Sequence, residues 1–187
     1  MALRAALYLA LGLTANAALA VDWVPDRAAV EALRDGDMLK LGFLSEPVPA
    51  PDTAFRAADG SEMTLDAYAG QWVVLNFWAT WCAPCRIEMP TLSALQTALG
   101  GDDFAVVTIA TGRNDPAAME RFFAEIAVTN LPLFTDARSA LARDFGVMGL
   151  PVTVILDPSG NEVARLMGDA HWDSDSAMAI IRALIAG

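Results

Sequence analysis

With 187 residues, 55% of them hydrophobic and 19% charged, the chain can bury the core of one ordinary domain, which excludes an intrinsically disordered polymer. Its formal net charge of -11 repels phosphate backbones and excludes nucleic acid as an expected partner. A single histidine, His171, excludes metal centres built on several imidazoles.

The first residues read as an address. Arg4 is the only charge before Asp22, an apolar stretch spans Ala5 to Leu13, and Ala18 to Ala20 has the small-x-small pattern of a cleavage site. Residues 1–20 are therefore expected to be an export signal. The uncharged run from Ala5 to Val21 also sits at the short limit for spanning a bilayer, so an uncleaved anchor is the alternative. Residues 21–50 read as an N-terminal helix and a Pro-rich linker, and 51–187 as the folded domain. The helix is predicted over 26–41, with Asp26 as N-cap and Val30, Leu33 and Leu41 on one side. Pro47, Pro49 and Pro51 suit an extended linker.

Asp59-Gly60 between short alternating runs predicts a hairpin. Trp72–Ala79 and Phe104–Ala110 are continuously apolar and predict strands buried on both faces. Between them, from Ala83, Ile87, Leu92, Leu95 and Leu99 recur at helical intervals until Gly100-Gly101. Asp115-Pro116 opens a helix with Met119, Phe122, Phe123 and Ile126 inward. A short strand over Leu131–Thr135 and a short helix over Ala137–Phe145 follow. Pro151–Asp157 and Glu162–Gly168, joined by the turn Pro158–Asn161, read as a hairpin. The last helix has cap candidates in Asp173 to Ser176. Strands alternating with helices predict an α/β fold, a central sheet flanked by helices on both faces.

Both cysteines lie in the stretch "FWATWCAPCRIEMP", Phe77 to Pro90. A bridge between Cys82 and Cys85 closes so short a loop that it constrains the unfolded chain very little, which makes a structural staple a poor explanation. Half of a zinc site would need carboxylates for its other ligands, which is unusual, and inert core thiols fit poorly at a strand-to-helix junction. At that junction the helix N-terminus offers unpaired N–H groups and partial positive charge, which favour the nucleophilic thiolate. Cys85, one turn on, is in reach to expel a partner from a mixed disulfide. Ala79 stands where a peroxide-reducing thiol usually has a hydroxyl residue. The eight methionines are scattered and read as packing. His171 reads as a surface residue.

"WATWCAPCRIEMP", with "GLPVTVILDPSGNEVARLMG" and "HWDSD", resembles the TlpA/ResA/CcmG branch of exported thiol-disulfide oxidoreductases in the thioredoxin superfamily, the TlpA-like form best of all. The resemblance runs from about Pro51 to the C-terminus. It implies a thioredoxin-like fold with an N-terminal hairpin and an insertion at roughly 111–136, Cys82 as attacking thiolate and Cys85 as resolving thiol. It implies Trp81 on the docking surface, a cis peptide before Pro151, substrate backbone pairing at Leu150, and a helix kinked at Pro90. It places a buried acid at Glu88, where a carboxylate opposes thiolate formation yet can relay the thiol proton. Asn76 stands where many thioredoxins have a buried aspartate; it cannot act as a base, which leaves that role to Glu88.

The expected activity is periplasmic protein-disulfide reduction with no cofactor beyond the Cys82–Cys85 disulfide and no metal. By resemblance, the substrates are apocytochrome c or copper-site assembly factors, and a membrane thiol transporter is the electron donor. The alternatives are a Cu(I)-binding assembly module, since two thiolates suit that soft ion, and a general thiol oxidant. N-terminal sequencing of the exported protein is expected to read from Val21; an intact Met1 or Ala2 contradicts cleavage.

Overall fold

The protein's structure is a computed structural model that describes residues 26–187; the segment read as a signal or anchor lies outside the described residues. The strands are β1 (Gly42–Pro49), β2 (Phe55–Arg56), β3 (Glu62–Met63), β4 (Trp72–Trp78), β5 (Phe104–Thr111), β6 (Phe134–Asp136), β7 (Val152–Leu156) and β8 (Asn161–Met167). The helices are α1 (Arg27–Ala32), α2 (Ala83–Leu99), α3 (Pro116–Glu125), α4 (Ala140–Asp144) and α5 (Asp175–Ala186). One mixed sheet has the order β1-β8-β7-β4-β5-β6-β2-β3. Strands β4, β5 and β6 are parallel, and β7 runs antiparallel to β4. This is the α/β, thioredoxin-like architecture expected, with the hairpin β2–β3 turning at Asp59-Gly60. Among the described residues, no helix is long and apolar enough to cross a membrane.

The core forms two layers because side chains alternate across a strand. On β4, Val74 and Trp78 join the cluster under α2, α3 and α5, whereas Val73, Leu75 and Phe77 join the cluster under α4. Trp78 is fully buried and stacks on Phe123 at 5.5 Å between ring centroids. The three central strands also carry one polar row inside this apolar sheet. Asn76 stands opposite Thr108 on β5 and opposite Thr153 on β7, and all three are completely buried. Parity puts the row on the face covered by α2.

Several sequence expectations need correction. The helix predicted over 26–41 is two pieces, α1 and a 3₁₀ turn at Gly36–Lys40. The chain leaves the helix after Ala32, passes through an extended Asp35 and a left-handed Gly36 (φ 53°), and starts a new phase in which Met38 and Leu41 enter the core while Leu33 stays exposed. Asp26 does cap α1, accepting a hydrogen bond from the Ala29 amide. Second, the proline-rich stretch is extended, but part of it is strand β1 paired antiparallel with β8 and not a free linker. Pro47 and Pro49, which lack N–H groups, are tolerated because β1 is an edge strand. Third, Ile87 on α2 is exposed; the inward face is Cys85, Glu88, Met89, Leu92 and Leu95. Helix α4 is shorter than predicted, and the buried Asp136 carboxylate accepts from the Ala140 and Ala142 amides at its start.

The N-terminal piece is clasped to the loop after β8. Asp37 accepts from the His171 Nδ1–H at 2.6 Å and lies 3.1 Å from the Lys40 ammonium, which also donates to the Asp169 carbonyl. The His171 hydrogen bond, then that of Lys40, holds the Asp37 carboxyl down at about 2, and the bond to Asp37 pushes the His171 imidazole up. A raised imidazole stabilises the fold fully below its ordinary value and loses that contribution as pH rises through the folded value. His171→Ala is therefore expected to lower the urea midpoint more at pH 5.5 than at pH 8.5; equal losses at both would remove the ion pair as the cause.

Candidate active site

Strand β4 ends at Trp78, and the chain turns through Ala79, Thr80 and Trp81 into Cys82, the N-cap of α2. Proline at position 84 suits the first turn, where its missing N–H breaks no helical bond. The helix continues through Pro90 to Leu99. Cys82 and Cys85 form a disulfide, and Cys82 Sγ accepts from the Cys85 amide at 3.3 Å. The sulfur of Cys82 thus sits where unpaired amides and the helix dipole favour negative charge. Cys82 is 5% exposed and Cys85 0%, so an incoming thiol has access only to the first.

The turn before Cys82 is held from outside its own element. Asn114 Oδ1 accepts from the Thr80 amide at 2.8 Å and from its hydroxyl at 3.0 Å, while Asn114 Nδ2 donates to the Thr111 carbonyl. This ties the CxxC approach to the end of β5. Arg86, just past the pair, lies 4.1 Å over the Phe122 ring and 3.5 Å from Glu125, fixing α2 to α3.

Antiparallel pairing of β7 with β4 sets Phe77 opposite Val152. The end of β4 that leads to Cys82 therefore lies beside the start of β7, at Leu150 and Pro151. The Leu150–Pro151 bond is cis, as the resemblance implied. Trp81 is 67% and Met148 98% exposed. A groove lined by Met148, Leu150, Pro151 and Met167 continues past the cis peptide. Apolar side chains exposed this far around a thiol pair suit contact with another protein.

Glu88 lies one turn beyond Cys85 on the same inward face and is 1% exposed. Its Oε1 accepts from Asn76 Nδ2 at 2.8 Å, and its Oε2 from the Ala170 amide at 3.2 Å. The loop carrying Ala170 is pinned to α2 by the Trp172 amide donating to Thr91 Oγ1 at 3.1 Å. The Trp172 indole faces the same carboxyl without reaching hydrogen-bonding geometry. Burial pushes the Glu88 carboxyl up to about 7; the Asn76 and Ala170 bonds oppose that, and the charge of Asp169 adds to it.

Of the residues singled out from the sequence, Cys82, Cys85 and Glu88 come together on α2, with Trp81 exposed beside them and Leu150 and Pro151 across the strand pair. His171 is exposed and engaged with Asp37. The sequence reading treated Asn76 only as a missing base and overlooked its bond to Glu88. It also missed Thr153, Asn114 and the Ala170 amide. The signal for the first two was a polar residue inside an otherwise apolar strand; a loop asparagine and a backbone amide carry none. Among the described residues, no group of three His, Cys, Asp or Glu side chains is placed to hold a metal ion.

The AhpC/TSA family model matches residues 48–164. The thioredoxin-like protein YneN of Bacillus subtilis is 37% identical over 118 residues, 63% of this chain and 68% of its own. The thiol-disulfide oxidoreductase ResA of Geobacillus thermodenitrificans is 32% identical over 111 residues, 59% of this chain and 63% of its own. Among solved structures, a thiol:disulfide interchange protein DsbE from Chlorobium tepidum superposes with a TM-score of 0.66 at 26% identity, over 76% of this chain and 99% of that one.

The proton on Glu88 has a stability consequence. With the folded carboxyl at about 7 against 4.5 for the ordinary group, the folded state holds a proton that the unfolded chain has released. Stability then falls as pH rises across that window, by roughly 3 kcal/mol. Glu88→Gln is expected to flatten the curve and leave the oxidised protein more stable than wild type at pH 8, measured by denaturant unfolding; an unchanged slope between pH 4.5 and 7 contradicts the shift.

Proposed function

Because this chain belongs to the AhpC/TSA family, on the side that holds the thioredoxin-like thiol–disulfide oxidoreductases, we propose that it is an exported protein-disulfide reductase. The observation that carries this reading is the Cys82–Cys85 disulfide at the head of α2 with a buried, neutral-range carboxyl one turn below it. In the reduced protein, the Cys82 thiolate attacks one sulfur of a substrate disulfide, forming a mixed disulfide and releasing the first substrate thiolate, which takes a proton from solvent. Cys85 then gives its proton to Glu88 and attacks Cys82 Sγ. The Cys82–substrate bond breaks, the second substrate sulfur leaves as a thiolate that takes up the proton Glu88 received from Cys85, and Cys82–Cys85 is re-formed. The substrate gains two electrons and two protons; the protein supplies both electrons and the Cys85 proton, and the solvent supplies the other proton in exchange for the one Cys82 released on ionising.

An acid whose proton affinity lies near the working pH is suited to both halves of this cycle, because it can take the Cys85 proton and return it. The electron carrier is the cysteine pair itself, so the reaction needs no dissociable cofactor. Trp81, the Leu150 backbone and cis-Pro151 supply the docking edge, where an extended substrate segment can pair with main chain. Ala79 leaves the approach to Cys82 without the hydroxyl that a peroxide-reducing site needs. A reductase in the periplasm, whether free after signal cleavage or tethered by residues 1–20, needs an outside source of electrons. A membrane thiol transporter is the proposed donor, and disulfides in apocytochrome c or in copper-site assembly factors are the proposed substrates.

Three measurements test the reading. Cys85→Ser should leave Cys82 trapped in a mixed disulfide with its substrate, recoverable by reduction. The reduction potential of the pair is expected near or below about -200 mV; a value near -120 mV identifies an oxidant. Stoichiometric Cu(I) binding with no turnover of a protein disulfide would instead identify a metal-carrying module.

A further inference from the structure

Glu88 is not the only unusual group under the cysteine pair. Asn76 is completely buried in the middle of β4, with apolar neighbours on both sides of it along the strand. Its amide nitrogen has two hydrogens, and both are spent. One goes to Glu88 Oε1 at 2.8 Å and the other to Thr153 Oγ1 at 2.9 Å. Its carbonyl, Oδ1, is buried and has no partner among the described residues. Leaving a buried acceptor unmet costs free energy. The opposite orientation would be worse, because it would bury two N–H groups unmet and face the amide oxygen against the carboxylate. The carboxylate therefore commits the amide as a donor, and Thr153 accepts its second hydrogen.

We propose that Asn76, seated by Thr153, is a positioning residue for the Glu88 carboxyl, whose ionised form it holds under the cysteine pair so that Glu88 can take a proton from Cys85. Three observations converge on this. The row Asn76–Thr153 lies on the sheet face covered by α2, so the donor points at the helix that carries both cysteines. The Ala170 amide occupies the other carboxyl oxygen, so Glu88 is gripped at both ends and its rotamer is set. Asparagine, unlike aspartate, offers this hydrogen bond without adding a second charge beside Glu88. The charged and titratable groups around the carboxyl are the two cysteines and Arg86 on α2, with the guanidinium turned to Phe122, and Asp169 on the loop after β8, whose carbonyl is held by Lys40. His171 and Asp37 pair with each other beyond that loop. None of these donates to Oε1. Burial alone favours a permanently protonated Glu88, and a protonated Glu88 cannot accept from Cys85; the Asn76 hydrogen bond opposes that outcome.

The proposal rests on the reading that Glu88 handles the thiol proton, and its test separates the two. The Glu88 carboxyl of the oxidised protein is titrated directly by infrared difference spectroscopy, with Glu88→Gln identifying the band. Asn76→Asp is nearly isosteric and replaces the donor by an acid that must share a proton with Glu88; it should raise the midpoint by about one to two pH units. Asn76→Leu should raise it similarly where it folds, and Thr153→Val by less. In the reduced protein, the alkaline shift of Cys85 alkylation against pH should follow the same order, and Asn76→Asp in a Glu88→Gln background should add no shift. A carboxyl midpoint unmoved in Asn76→Asp and in Thr153→Val overturns the proposal, whatever Glu88→Gln does to the thiols. A moved midpoint with alkylation indifferent to Glu88→Gln upholds the Asn76–Glu88 coupling and defeats instead the proton-relay reading on which its use rests.

Discussion

A carboxyl group set inside the main core is the constraint around which this protein is organised. Removing an ionised carboxylate from water costs several kcal/mol unless its oxygens find donors, and the usual outcome is a group that keeps its proton. Glu88 escapes that outcome by a narrow margin. Burial raises its proton affinity; one side-chain donor from the sheet and one backbone donor from the loop after β8 pull it back, to about 7. Each donor then has to be held. Thr153 orients the first, and the Trp172–Thr91 bond anchors the loop that carries the second. The clasp of Asp37 on His171 holds the outer side of that loop. A chain of contacts thus runs from the N-terminal 3₁₀ turn to the acid beneath the cysteines.

The sheet explains why the cysteines, the docking edge and the acid meet. Parallel β4 and β5 send their C-terminal ends to the same side, where Thr80 and Asn114 connect them. Antiparallel β7 brings its N-terminal end to that side as well, so the cis-proline loop and the head of α2 become neighbours without belonging to one segment. The polar row Thr108–Asn76–Thr153 crosses the same three strands. Within it, Asn76 donates to Glu88 and to Thr153, whereas Thr108 donates to the Pro132 carbonyl; polar side chains inside an apolar face are the kind of local inconsistency that accompanies functional sites.

Much of this was legible in the sequence. The buried strands β4 and β5 showed as continuous apolar runs, and α2 and α3 as helical spacing. What was misread has physical causes. The 26–41 helix failed because the chain breaks after Ala32, through an extended Asp35 and a left-handed Gly36, and so resets a helical phase that spacing alone continues. The proline run looked like a linker because proline removes ladder donors; an edge strand has donors to spare, and only the partner strand β8 shows which case applies. Ile87 was assigned inward because it is apolar, whereas the helix phase turns Glu88 inward in its place.

The sequence by itself determined the reaction: two cysteines separated by two residues at a strand-to-helix junction specify dithiol chemistry through spacing and helix geometry that are local, while the acid one turn on entered through the resemblance. The proton affinity of that acid was decided only by the tertiary structure. Its donors lie 12 and 82 residues away in the chain, and desolvation is a sum over every neighbour the fold brings in. No short window of sequence contains that sum. Asparagine at position 76 reads locally as the loss of a base; in the folded protein it donates to the buried carboxyl of Glu88 on the layer above.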